Sequence, residues 1–218
     1  MARPLLMITF DDGYKTDMTV GMQEQLNRGL EPKGTSFIAP GLFPELRLTK
    51  AEQMEMINQG WDIECHTYNH PVDVGFDNLT APEIHTEMQL INEHFESMGL
   101  PFPQFHAYPG SKNNKLVRDI VGRYRLAMRT TDEGFITDKV DWHQVPSFNS
   151  ATTSDILIPK YQWMTDQMVK QGFCASVHFH ALDTPDKILG YTTLLDLVLE
   201  KNIKLVTFTE MYREINRR

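Results

Sequence analysis

The chain alternates between short apolar runs and longer amphipathic stretches from one end to the other. The apolar runs have the length of β-strands, and their continuous hydrophobic character is typical of strands buried on both faces of a sheet. We predict strands at residues 5–9, 33–39, 61–65, 105–108, 124–129, 173–179 and 203–208.

Helices are predicted between these runs. Thr49 and Thr80 are each followed three residues later by a glutamate, which is the capping-box pattern of a helix N-terminus. Beyond Thr80, apolar residues recur at helical spacing and give the segment one hydrophobic face. Further helices are predicted at 17–28, 112–123, 161–171 and 192–201. The stretch 132–159 has the least regular pattern, so we expect a long loop region there, beside a site.

The alternation of strands and helices predicts an α/β fold, in which a parallel sheet is covered by helices. No repeat, low-complexity tract or Pro/Gly-rich linker interrupts the pattern, so residues 1–218 are predicted to form a single domain. Ligands of parallel α/β folds bind at the carboxyl ends of the strands. The polar residues that follow each apolar run are therefore the candidates for chemistry.

The composition is that of a folded globular protein, with 41 % hydrophobic and 23 % charged residues. Lys and Arg number 21 against 29 Asp and Glu, and the resulting net charge of −8 without a basic run excludes nucleic acid as the default partner. The two cysteines, Cys65 and Cys174, are too few for a disulfide framework or a four-cysteine zinc site. Their apolar neighbours indicate small buried hydrophobes.

The first apolar run ends at Asp11 and is too short for a signal-peptide core or a membrane span. We therefore expect no membrane span. For the chain as written we expect a cytoplasmic location, unless an upstream peptide has been removed or the protein is released by lysis. The sequence leaves the oligomeric state open.

Two adjacent carboxylates, Asp11 and Asp12, stand at the end of the first predicted strand, before Gly13. Asp-Gly is also a common turn dipeptide, and the pair alone is compatible with a simple turn. Past a strand end, however, neighbouring side chains can converge, and adjacent carboxylates repel unless a cation or a proton separates their roles. One aspartate could then face a metal ion and the other a substrate water.

His66 and His70 follow the third predicted strand. Pro71 disfavours helical geometry at His70, so the pair is predicted on a strand-to-loop turn rather than on one face of a helix. Neutral imidazoles suit zinc and similar divalent ions, and Asp12 would complete a two-histidine, one-carboxylate site with open positions for water and substrate. Taken alone, the two histidines are equally compatible with a solvated surface.

His178 and His180 occupy the end of a late predicted strand, where a period of two places both on one face. His180 is nearer the strand end and is the candidate that reaches the site. His178 lies deeper and is interpreted as a core or supporting residue. Without the other motifs, both would be interpreted as hydrogen-bonded core histidines.

Taken together, these motifs resemble the polysaccharide deacetylases, also described as the NodB homology domain and carbohydrate esterase family 4. The resemblance rests on residues 9–13 (Thr-Phe-Asp-Asp-Gly), on 66–70 (His-Thr-x-x-His) and on the strand that ends at His180, and it extends over nearly the whole chain. It implies a distorted (β/α) barrel of about seven strands. It also implies one divalent metal ion, zinc first, with cobalt, nickel or manganese as alternatives.

Carried over residue by residue, the resemblance implies specific roles. The implied metal ligands are Asp12, His66 and His70. Asp11 is the implied general base, and His180 is the implied general acid that protonates the leaving amine. Thr67 matches the family residue that braces the metal loop by hydrogen bonding.

The chain departs from the third family motif. Where the family has Arg-x-Pro-aromatic-Gly, this chain has Ala107, Tyr108, Pro109, Gly110 and Ser111. Ala107 replaces the arginine that pairs with the catalytic aspartate, and His106 or Arg129 could take its place. Gly110 keeps the backbone N–H that lines the oxyanion hole but lacks the aromatic wall. The resemblance places Tyr108, Pro109 and Gly110 on the substrate side of the site.

Asp141 and Trp142 resemble the fourth family motif, in which the aspartate orients the motif arginine and the tryptophan walls the acetyl pocket. Because Ala107 stands in place of that arginine, Asp141 could lack its usual partner. A chance match is an equal alternative for this pair.

The combined expectation is a metal-dependent hydrolase acting on C–N bonds other than peptide bonds. It would remove N-linked acetyl groups from an N-acetylated sugar or polysaccharide of the chitin or peptidoglycan type. The altered third motif keeps open another amide hydrolase on the same scaffold, such as an allantoinase-like enzyme. A degenerate member that binds glycan without turnover is the alternative from a different class.

Overall fold

The computed structural model describes residues 3–42, 44–150 and 152–217, and a single sheet runs through them. The strands are β1 (Leu5–Asp12), β2 (Thr35–Ile38), β3 (Asp62–Cys65), β4 (Phe105–Ala107), β5 (Ala127–Arg129), β6 (Phe135–Ile136), β7 (Phe148–Asn149), β8 (Cys174–Phe179) and β9 (Lys204–Val206).

β1 is the centre of the sheet. β8 pairs with one edge of β1. On the other edge, β9 pairs with residues 5–7 of β1 and β2 pairs with residues 9–12. The continuous path runs β5-β4-β3-β2-β1-β8-β6 and curls into a half-barrel. All pairings are parallel except that of β6, so the carboxyl ends of the other strands meet at one rim.

Seven helices flank the sheet, and all but α7 lie on its convex side. They are α1 (Gln23–Asn27), α2 (Lys50–Asn58), α3 (Ala81–Met98), α4 (Lys115–Val121), α5 (Ser154–Gln171), α6 (Pro185–Glu200) and α7 (Phe208–Asn216). A π-helical turn at Asp17–Met22 leads into α1, and short 3₁₀ turns occur at Pro44–Leu46, Phe76–Asn78 and Pro109–Ser111. Among the described residues, no helix is both long and apolar enough to cross a membrane.

The two faces of β1 belong to two different apolar cores. Leu6, Ile8 and Phe10 join the large core between the sheet and the outer helices. Leu5 and Met7 join a smaller core on the concave side, which α7 closes. Because side chains alternate along a strand, Asp11 continues the concave face at the rim.

The predicted α/β class and the barrel-like fold of the resemblance are confirmed. The expectation of one long loop at 132–159 is wrong, because β6 and β7 pair with β8 in this stretch and α5 begins at Ser154. These strands are two residues long, too short for periodicity to reveal. The sequence analysis also missed α7, which begins within a run predicted as a strand.

The two capping boxes are confirmed, and helix α3 shows how the large core is held. Its N-cap Thr80 and Glu83 satisfy each other's backbone N–H groups, and its apolar residues, including Ile91, are buried. We expect Ile91→Ala to lower the free energy of unfolding by about 2–5 kcal/mol, because it opens a cavity in the core. Chemical denaturation measures the change.

The matched control is Ile156→Ala on α5, where the side chain is 56 % exposed. The same substitution there should change stability by no more than about 0.5 kcal/mol. Equal effects at both positions would contradict this account of the core.

Candidate metal centre and catalytic site

Asp11 and Asp12 end strand β1 and point in different directions because the backbone turns between them. Asp12 has a left-handed φ of 75°, and Gly13 continues the turn with φ of 72°. A Cβ atom at Gly13 would lie 2.7 Å from Ile38 Cγ2, so only glycine fits this close approach. The turn directs the Asp12 carboxylate past β2, toward the loop that follows β3.

His66 and His70 lie on the loop that follows β3, as the sequence predicts. The backbone N–H of His66 donates to the Ile38 carbonyl at 3.0 Å, which continues the sheet pairing past the strand end. Thr67 and His70 both have left-handed φ angles, 63° and 51°, so the loop turns sharply. The Thr67 hydroxyl accepts from the His70 backbone N–H at 3.0 Å and fixes this turn.

Asp12, His66 and His70 converge on one point. One ligand atom from each lies within 4.8 Å of the others. The two histidine Nε2 atoms are 3.1 Å apart, and the His70 Nε2 is 3.4 Å from Asp12 Oδ1. Asp12 Oδ1 is buried and makes no hydrogen bond with any described residue. This set of donors fits a divalent cation, because two imidazoles and one carboxylate are ligands that zinc and its neighbours accept.

Hydrogen bonding and burial keep the two imidazoles in their ligand form. His66 donates from Nδ1 to the Ala107 carbonyl at 2.7 Å, which leaves the Nε2 lone pair directed at the cluster. Burial lowers the pKa of His66. Burial and the neighbouring His66 lower the pKa of His70 to about 4. Both rings are therefore neutral near pH 7, as metal ligation requires.

Glu87 of helix α3 anchors the loop that carries the histidines. Its carboxylate accepts from the backbone N–H groups of Tyr68 and Asn69, at 3.0 and 2.9 Å, and from the Asn69 side-chain amide at 2.7 Å. The sequence analysis missed Glu87. Its position on the otherwise apolar, buried face of helix α3 was the available signal, because a buried carboxylate requires partners.

Asp11 lies beside this cluster in a buried ion pair with Arg129 at the end of β5. The Arg129 Nη2 atom donates to both carboxylate oxygens of Asp11, at 2.6 Å for Oδ2. Burial raises the pKa of Asp11, but the Arg129 guanidinium and His66 outweigh it and hold the pKa well below its usual range. Asp11 is therefore ionised near pH 7.

Of the two candidates for the missing motif arginine, Arg129 contacts Asp11. Ala107 and Arg129 are register partners on the adjacent strands β4 and β5, so the cation stands one strand away from the expected position. Its guanidinium lies 5.5 Å above the Phe37 ring on the concave side. His106 instead faces Cys65, with 3.3 Å between Nδ1 and Sγ, in the large core. The small, buried side chain of Ala107 leaves space on the concave face for the long side chain of Arg129 beside it.

The two histidines at the end of β8 differ in environment. His178 is buried and its Nδ1 lies 3.1 Å from the Ser147 hydroxyl, while burial and Arg129 lower its pKa to about 3. His180 is exposed at the rim, lines a cavity with Ser150 and acts electrostatically on both Asp11 and His70. This division matches the predicted order along the strand.

Comparison with known proteins decides the family. A model of the polysaccharide deacetylase family matches residues 1–128, which is more than half of the chain. The chain belongs to the polysaccharide deacetylase family. No curated relative matches it.

Solved structures of family members share the fold. The Xyl-CE4 domain of a multidomain xylanase from the hindgut metagenome of Trinervitermes trinervoides has a TM-score of 0.69 at 16 % identity, over 98 % of this chain and 91 % of that one. A family 4 carbohydrate esterase from Streptomyces lividans in complex with acetate has a TM-score of 0.67 at 14 % identity, over 94 % and 93 %. A CE4 family pseudoenzyme from Bacillus anthracis has a TM-score of 0.65 at 14 % identity, over 95 % and 65 %.

The third deacetylase motif lies at the rim, after β4. Tyr108 is buried against His106, and its hydroxyl donates to the His143 carbonyl at 3.2 Å. Pro109 is buried, whereas Gly110 is exposed with a left-handed φ of 57°. The Tyr108 side chain belongs to the large core, so the expectation that it lies on the substrate side is wrong, and of the three residues only Gly110 is exposed at the rim.

The fourth deacetylase motif is not assembled in the expected way. Asp141 is exposed and accepts from the His143 backbone N–H and the Gln144 amide, both at 2.9 Å, which caps its own turn. The Trp142 ring packs on Tyr212, and its indole N–H donates to Asn216 at 3.1 Å. The contacts of Trp142 are thus with helix α7, and those of Asp141 do not include Arg129 among the described residues.

Glu87 offers a test of the metal centre that leaves all three ligands in place. We expect Glu87→Ala to weaken zinc binding by about 10–100-fold, the range found for outer partners of metal ligands, because the loop loses three hydrogen bonds. Isothermal titration calorimetry of metal-stripped protein measures the affinity. Glu93→Ala, an exposed glutamate on the same helix, is the control, and an unchanged zinc affinity in Glu87→Ala would refute the anchoring role.

Proposed function

We propose that this protein is a metal-dependent hydrolase that removes N-linked acetyl groups from an N-acetylated sugar or polysaccharide. The observation that carries the proposal is the convergence of Asp12, His66 and His70 beside a separate, ionised carboxylate, Asp11. One aspartate is available to bind a cation, while the other stays outside the ligand set and is held by Arg129 as the base. Membership of the deacetylase family supports the same chemistry.

Asp12, His66 and His70 would hold the metal ion, with zinc as the first candidate. When bound there, a divalent cation supplies Lewis acidity, which polarises the amide carbonyl and makes water easier to deprotonate. The Asp11 carboxylate accepts a proton from the attacking water. Arg129 fixes both Asp11 oxygens, so this base is oriented before substrate arrives.

The exposed His180 stands at the rim just past the end of β8 and donates the proton that the leaving nitrogen needs. The water oxygen bonds to the carbonyl carbon, the C–N bond breaks, and the products are a carboxylic acid and a free amine. The backbone N–H of Gly110, on the loop after β4, is the proposed donor to the carbonyl oxygen as negative charge develops. His178, buried below His180, supports the strand end by its contact with Ser147.

A second candidate is the hydrolysis of a different amide on the same scaffold. Trp142 contacts helix α7, and Gly110 offers no side chain at the rim, so the surroundings of the acyl group differ from those that the resemblance implies. A glycan-binding protein without turnover is a further alternative, since pseudoenzymes occur among the similar structures. The complete Asp-His-His group and the intact Asp11–Arg129 pair favour catalysis.

The direct test combines metal analysis with acetate release from N-acetylglucosamine oligomers. We expect about one zinc per chain. We expect His70→Ala to lose both metal and acetate release, and Asp11→Asn to keep the metal while kcat falls by about 10²–10⁴-fold, the usual contribution of a general base. Metal binding with no acetate from any sugar would move the search to other amides. Unchanged turnover in Asp11→Asn would overturn the assignment of the base.

Arg129 is tested by removing its charge. We expect Arg129→Met to destabilise the fold by about 3–5 kcal/mol, because it leaves the buried Asp11 carboxylate unpaired, and to reduce kcat more than it changes KM. Arg129→Lys keeps the charge and should recover most of the stability without the two-oxygen contact. Arg123→Met, an exposed arginine, is the matched control. Wild-type kcat in Arg129→Lys would show that orientation by the guanidinium is dispensable.

A further inference from the structure

A cavity of about 170 Å³ lies directly against Asp12, on the α2–α3 side of the rim. Its apolar walls come from the turn after β1, the end of β2 and its following loop, and the C-terminal end of α3. They are Gly13, Ile38, Ala39, Pro40, Leu48 and Met98. None of these side chains is needed to hold a metal ion, so the cavity is a separate feature beside the metal centre.

Polar residues also line the cavity: Thr49 and Lys50 are exposed and His94 is partly buried, whereas Arg47 and Gln53 are buried. The Arg47 guanidinium lies 4.0 Å above the Tyr14 ring, and its Nε donates to the Leu42 carbonyl. Gln53 donates its amide to the Leu48 carbonyl at 2.9 Å. Nη1 and Nη2 of Arg47 and Oε1 of Gln53 are buried and make no hydrogen bond with any described residue. Their aliphatic stems therefore add to an apolar surface.

Two backbone hydrogen bonds hold the cavity open and in place. Leu48 donates to the Gly13 carbonyl at 2.9 Å, and Gly41 donates to the Tyr68 carbonyl at 2.8 Å. The wall is therefore tied to the Asp12 turn at one end and to the histidine loop at the other. A ligand that binds there causes little loss of conformational entropy in the protein, because the walls are already fixed.

We infer that this cavity is the acyl pocket of the enzyme and that it accepts N-acyl groups longer than acetyl. The inference rests on the proposed function, in which the amide carbonyl is held at the Asp12 cluster. From there, the carbon chain attached to the carbonyl has an apolar space beside Asp12 to enter. A cavity of about 150 Å³ holds a benzene molecule, so this one has room for an alkyl chain of several carbons.

The size preference follows from the apolar walls. An acetyl group has one methyl to bury, whereas butanoyl and hexanoyl groups bury two and four further methylenes. Each methylene moved from water into an apolar pocket improves binding by about fourfold. We therefore expect kcat/KM to rise from N-acetyl to N-butanoyl and N-hexanoyl glucosamine, until the cavity is full.

The first experiment detects binding without turnover. Methionine methyl NMR of the metal-free protein is recorded during titration with acetamide, butanamide and hexanamide. The Met98 methyl, in the cavity wall, should shift with hexanamide, while the Met54 methyl on α2, outside the wall, should not. Met98→Ala and Met54→Ala assign the two signals. Ala39→Leu, which fills the cavity, should abolish the Met98 shift.

The second experiment compares acyl release from the N-acetyl, N-butanoyl and N-hexanoyl sugars. We expect Ala39→Leu to lower the ratio of hexanoyl to acetyl kcat/KM by at least about tenfold. Met98→Ala should raise this ratio, with Met54→Ala as its control. Acetyl release with no hexanoyl release, together with no Met98 shift, would overturn the acyl pocket and leave the proposed function standing. Release of no acyl group from any substrate would instead reject the proposed function, while the NMR result would still decide the pocket.

Discussion

A charged carboxylate that is buried must be paired with a cation or with hydrogen-bond donors, and much of this structure follows from the cation that meets this requirement at Asp11. Burial alone raises the pKa of Asp11 and so favours the protonated form, which cannot accept a proton from water. Arg129 prevents this with hydrogen bonds to both oxygens. The concave face therefore holds a large, fully buried arginine, whose guanidinium lies above the Phe37 ring.

The geometry of the metal centre depends on a different feature, namely left-handed backbone conformations at the strand ends. Asp12, Thr67 and His70 all adopt positive φ angles. Each turn directs a side chain or a supporting hydroxyl toward the same point from strands that run parallel. Parallel strands bring their carboxyl ends to one rim, but the turns decide which side chains meet there. Glu87 then anchors the loop that carries the histidines, and the Ala107 carbonyl fixes the orientation of the His66 ring.

The sequence was sufficient to predict the alternating fold and the residues that converge, because apolar runs, capping boxes and the Asp-Asp and His-x-x-x-His pairs are all local patterns. It named Arg129 as one of two possible partners of Asp11 but could not choose between them, because the choice depends on strand register and on which face each residue occupies. The short strands β6 and β7 exist only because β8 offers them an edge. Trp142 followed a plausible motif, yet its neighbours on α7 come from the far end of the chain.

The register pairing of Ala107 with Arg129 has a consequence for how such a site can change over time. The two positions share one space above Phe37 and serve one carboxylate, so a second arginine at position 107 would place two like charges in a volume that suits one. If the arginine is to stand on β4 instead of β5, two substitutions are needed: an arginine at position 107 and a small residue at position 129. In this chain, the alanine at position 107 is accompanied by an arginine at its register partner, and that arginine serves Asp11.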